Sequence, residues 1–109
     1  MDHLDRQALE ALKDVMEDDF ALLISTFLQD SENRIRTLNS LVKSDNADAV
    51  RRAAHSFKGS CSNIGAPLLA SYCAVLEQKG GDNQLDNIEE DIDLIKTEYE
   101  IVKNLLMDL

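Results

Sequence analysis

Apolar residues recur along this chain at intervals of three and four. Ala47, Val50, Ala54, Phe57, Cys61 and Ile64 make one such series; Leu85, Ile88, Ile92, Ile95, Tyr99, Val102, Leu106 and Leu109 make a longer one without an error. A helix turns about 100° per residue, so this spacing gathers the side chains into one stripe and predicts a helix with a buried seam. Other segments follow the same rule. Asp5 can cap a short helix carrying Ala8, Leu9, Leu12, Val15 and Met16 on one face. Asp18 or Asp19 can start a longer one to about Lys43, with Phe20, Leu23, Ile24, Phe27, Ile35, Leu38 and Val42 apolar. The polar run "KSDNAD" then breaks the pattern.

The helix from Ala47 should stop at Ile64, because Gly65 stands where a left-handed C-terminal residue is wanted. Pro67 suits the first turn of the next helix, whose face is Leu69, Tyr72, Cys73 and Leu76. "KGG" at 79–81 should end it. Four long helices with short connections prefer an antiparallel bundle, and the short first helix is expected across one end. The expectation is all-α: an antiparallel four-helix bundle with a short additional N-terminal helix. At 109 residues it reads as a single domain over 1–109, without linker, repeat or low-complexity segment. Scarce glycine (4), a single proline and 5% aromatics agree.

Charge narrows the partners. The formal net charge is −10, from 21 acidic residues against 11 Lys plus Arg. Nucleic acid and anionic membrane would both be repelled. The partner should be a protein or a small molecule. Cys61 and Cys73 lack a CxxC pattern and fall on core positions, so neither a metal site nor a disulfide is expected. The N-terminus "MDHLDRQ" is charged and shows no signal peptide. Residues 59–76 are uncharged, but Ser, Asn, Gly65 and Pro67 interrupt them, which argues against a membrane span. The cytoplasm is the expected compartment.

One position breaks the helical logic. Gly59 sits inside a helix, where it costs about 1 kcal/mol relative to alanine, one turn after His55. His55 lies one position past seam residue Ala54, at the edge of the stripe, with Arg51, Arg52, Lys58, Gly59 and Ser62 as helical neighbours. No acidic residue occurs between Asp48 and Glu77. A basic island around one histidine, on an otherwise acidic chain, wants an anion. The missing side chain of Gly59 would leave the imidazole open, and Lys58 could place an ammonium near a group carried on it. Histidine is a competent nucleophile. The competing reading is a half-buried packing histidine, ordinary at such an edge.

The run "AHSFKGSCSNIGA" resembles the signature of histidine-containing phosphotransfer (HPt) domains of bacterial two-component multistep phosphorelays. Ala54, His55, Phe57, Lys58, Gly59, Ile64, Gly65 and Ala66 match its positions, and "LEQKG" at Leu76–Gly80 resembles the end of the family's following helix. The resemblance implies a phosphorelay carrier. His55 would accept a phosphoryl group on Nε2 from a receiver-domain phosphoaspartate and yield it to another receiver aspartate. Lys58 would offset phosphoryl charge, Gly59 would give access, and Gly65 with Pro67 would form the structural turn.

Arg51 and Arg52 are added as phosphoryl-stabilising candidates from helix geometry alone, with contact of one of them to Asp48 or to the partner as the alternative. Some family members face the phosphoryl group with a glutamine from the fourth helix; Glu77 and Gln78 stand near there and are left out of the site. His3, near the terminus, is expected to be exposed and without a role. The implied partners are receiver domains of hybrid sensor kinases and response regulators. No cofactor, metal or enzymatic activity of its own is expected, and a monomer is, since the seams are satisfied within one bundle. A chain from Met1 to its last helix suggests a free-standing carrier. The rival readings are a phosphate-independent interaction module and a substrate phosphorylated directly by a kinase's ATP-binding domain. A bundle metalloenzyme is discounted because Arg52, three before His55, stands where Glu-x-x-His needs glutamate.

Overall fold

The computed structural model describes residues 1–109 as five helices: α1 (Arg6–Met16), α2 (Asp18–Leu41), α3 (Ala47–Ile64), α4 (Pro67–Gly81) and α5 (Ile88–Met107). Local chemistry sets their ends. The Asp5 carboxylate accepts from the Ala8 N–H at 3.1 Å and the Asn46 side chain from the Ala49 N–H at 3.0 Å, capping α1 and α3. Gly65 takes φ +80°. Its N–H donates to the Ser62 carbonyl and the Ala66 N–H to the Cys61 carbonyl, which closes α3 in a Schellman turn. Pro67 then opens α4 at a position that needs no N–H donor.

The connections at 42–46, 65–66 and 82–87 are too short to run back along a helix, so successive helices are antiparallel. α2, α3, α4 and α5 each pack on the next, and α5 returns to α2. The seams meet inside. Phe20, Ile24, Phe27, Ile35 and Leu38 face Val50, Ala54, Phe57, Cys61 and Ile64, with Leu69, Cys73, Leu76 and the α5 stripe closing the core. Each large aliphatic or aromatic side chain so buried contributes about 1.5–3 kcal/mol. Cys61 and Cys73 are free thiols within it. The Cys73 sulfur, then burial, pushes the Cys61 thiol far above its ordinary range. No helix is long and apolar enough to cross a membrane.

α1 crosses the end of the bundle as expected. The Asp5 N–H donates to the Gly65 carbonyl at 2.8 Å and the Leu68 N–H to the Asp2 carbonyl at 3.2 Å; at the other side Lys13 donates to the Leu109 carbonyl. His3 is exposed, as expected, but this docking gives it a partner. Its Nδ1 lies 2.7 Å from Oε2 of Glu98, a carboxylate buried in α5, while neighbouring Leu4 enters the core.

Other departures are small and share a cause. Ala8 and Val15 are exposed, because a helix laid across an end is covered on a narrower stripe, here Leu9, Leu12 and Met16. α2 ends at Leu41, before Lys43, where Val42 enters a turn. Leu85 and Leu109 flank α5 and are only partly buried. Gly80 is a helical residue with no left-handed turn to serve. A Cβ there would come within 2.7 Å of the Arg51 backbone nitrogen and 2.9 Å of the Ala47 carbonyl oxygen. It is a point of close approach between the α3 and α4 backbones.

Candidate functional site

His55 projects from the middle of α3 with 64% of its side chain exposed. Its two ring nitrogens have different surroundings. Nδ1 lies 2.9 Å from Oε2 of Glu77, reached across the hairpin from α4. The other carboxylate oxygen of Glu77 pairs with Lys58 Nζ at 2.6 Å. The Lys58 ammonium first, with His55 adding to it against some desolvation, holds the Glu77 carboxyl below its usual range. An ionised carboxylate only accepts, so Nδ1 must carry the proton. In the neutral imidazole that leaves the Nε2 lone pair free, on the outer edge of the ring.

The face beside that edge is open. A Cβ added at Gly59 would meet nothing within 4 Å. The helix therefore does not need glycine at this position for its own packing. A groove runs along α2 and α3 past His55 and Gly59, floored by Leu23, Phe27 and Ile64, with Ser56, Asn63, Asp30 and Arg34 at its margins. Arg34 donates to the Ser56 hydroxyl.

The chain's other cations lie elsewhere. Arg51 and Arg52 both pair with Asp48, at 2.9 and 3.0 Å, toward the start of α3 and away from the histidine. Arg51 first, then Arg52, lowers the Asp48 carboxyl. The structure thus brings His55, Lys58 and Gly59 together, leaves Arg51 and Arg52 one turn back, and keeps Gly65 and Pro67 at the turn. Glu77 belongs to the site on geometry although it was left out, whereas Gln78 is exposed. A signal for Glu77 existed: it and His55 stand equally far from Ala66 at the turn, so a tight antiparallel hairpin brings them level.

The Hpt domain family matches residues 22–105, most of the chain. The chain belongs to the Hpt domain family. Its members are the histidine phosphotransfer carriers of two-component signalling. Among solved structures, histidine-containing phosphotransfer protein B (HptB) from Pseudomonas aeruginosa PAO1 is similar over 97% of this chain and 92% of its own, at 42% identity and a TM-score of 0.92. The maize histidine-containing phosphotransfer protein ZmHP2 shares the fold, with a TM-score of 0.79 at 23% identity over 90% of this chain and 79% of its own. No curated protein matches by sequence. The Hpt bundle with its extra N-terminal helix is the fold derived above.

Proposed function

We propose that this Hpt chain is a monomeric cytoplasmic carrier that takes a phosphoryl group from one receiver-domain phosphoaspartate onto His55 and passes it to another. The observation that carries the reading is the ring of His55: tethered to Glu77 through Nδ1, exposed, and bare at Nε2 beside an open Gly59.

The chemistry follows from that arrangement. Nε2 attacks phosphorus in line; the Nε2–P bond forms as the P–O bond to the receiver aspartate breaks, and the aspartate leaves as a carboxylate. No proton has to move, because Nδ1–H stays on Glu77 throughout. The phosphorylated ring acquires positive charge, which the adjacent Glu77 carboxylate stabilises. Lys58, held by Glu77 at rest, is within a side-chain swing of the new phosphoryl oxygens and offsets their charge. Gly59 admits the partner's backbone. Catalytic electrostatics beyond these contacts come from the receiver, so the chain acts as a carrier.

The test is transfer from a panel of purified, phosphorylated receiver domains to wild type and His55→Gln. An acid-labile, base-stable label on wild type alone is the expected result. A folded wild type that takes no label from any receiver would contradict the proposal and leave direct phosphorylation by a kinase, or phosphate-independent binding, as the account of the site.

A further inference from the structure

We infer that Arg34 is a second phosphoryl ligand, contacting the group on His55 from the α2 side of the groove while Lys58 approaches from the Glu77 side. The inference rests on the carrier reading above. It starts from how the basic side chains near His55 are satisfied. Lys58 is paired with Glu77, and Arg51 and Arg52 with Asp48. Arg34 is different. It is half-buried on α2, lines the same groove as His55 and Gly59, and has no carboxylate within ion-pair distance, Asp30 in the same groove included. Its one side-chain partner is the Ser56 hydroxyl, on the residue that follows His55, and its Nε is buried without any partner.

A partly desolvated guanidinium held only by a neutral hydroxyl is an unbalanced charge in the resting protein. A dianionic phosphoryl group on Nε2 supplies what is missing. The guanidinium fork matches two phosphoryl oxygens in a bidentate contact, which a lysine cannot reproduce. Ser56 holds the fork beside the histidine until the group arrives. No bond is made or broken by Arg34; it holds the phosphoryl group and lowers the basicity of its oxygens.

The full chain is phosphorylated with phosphoramidate and its phosphohistidine signal followed by 31P NMR across a pH series. His55→Gln serves as the control that assigns the signal. The charged groups facing the phosphoryl are then Glu77, Lys58, Asp30 and Arg34, and only the last changes between samples. Arg34→Gln is expected to raise the midpoint of the phosphoryl titration by about 1 unit, with Arg34→Lys between the two. Equal midpoints in wild type and Arg34→Gln, with helicity unchanged by circular dichroism, would overturn the inference while the carrier reading stands. Should Arg34→Gln not fold, Arg34→Lys decides: a raised midpoint supports the contact and an unchanged one overturns it. A wild type that gives no His55-dependent signal removes the carrier reading, and this inference with it.

Discussion

The molecule contains two histidine–glutamate pairs that look alike on paper. His3 meets Glu98 and His55 meets Glu77, each through Nδ1 and Oε2, at 2.7 and 2.9 Å. Their settings differ in what surrounds the ring. His3 lies on the terminal strap that ties residues 2–5 to the α3–α4 turn, and its glutamate is buried in α5 with no cation beside it. His55 stands on a long helix, its glutamate is shared with Lys58, and the neighbouring residue is an open glycine. A hydrogen bond to a histidine is therefore a tether in one place and a tautomer-setting device in the other. What separates them is the second ligand of the carboxylate and the free space at Nε2.

The largest effect that separates the two pairs is on transfer. His55→Gln should abolish phosphoryl transfer with helicity intact, whereas His3→Gln should leave the rate unchanged and lower stability by about 1 kcal/mol; a phosphotransfer assay and a urea melt read both. Next comes the acceptor. Glu77→Ala releases the ring and Lys58 together and should slow transfer about tenfold to a hundredfold. Glu77→Gln should do less, since an amide oxygen still accepts from Nδ1–H. Glu98→Gln should not change transfer at all.

Smaller effects probe the hairpin that carries the active pair. Gly80→Ala forces a Cβ into the α3 backbone and should cost about 1–3 kcal/mol. Gly59→Ala enters open space and should stabilise the helix by up to about 1 kcal/mol. Gly59→Leu should fold yet block transfer, and unchanged transfer would remove access as the reason for this glycine. The smallest effect is in acid. The Glu77 carboxyl is lowered in the folded chain, so its contribution to stability is complete above its ordinary value of 4.5 and is lost as pH falls below that, through the lowered folded value. The partial exposure of the site keeps this contribution modest. Glu77→Gln should flatten that part of an acid-unfolding profile.

These contrasts also mark what could be read from the chain. The α3 and α5 seams were legible because three-and-four spacing is a local property, and the Gly65–Pro67 turn because φ and N–H chemistry are carried by single residues. His55, Lys58 and Gly59 were legible because all three lie on one helix. Arg34 was not, since it stands on another helix and inter-helix register is set by packing; Glu77 was legible only as a position level with His55 across the hairpin, not as its hydrogen-bond partner. The "KGG" run does end α4, at Gly81, but the packing demand on Gly80 was not legible for the same reason: the contact that requires it is with Ala47 and Arg51, far away in sequence. His3 needed the docked strap, which no periodicity announces.

The account turns on which ring nitrogen of His55 is free. A long-range 1H–15N NMR spectrum of the histidine rings in the unphosphorylated chain, taken in mildly alkaline solution, reads this directly. The structure predicts Nδ1 protonated and Nε2 bare in wild type, with the preference lost in Glu77→Ala. A ring protonated on Nε2, or a tautomer indifferent to Glu77, would contradict it.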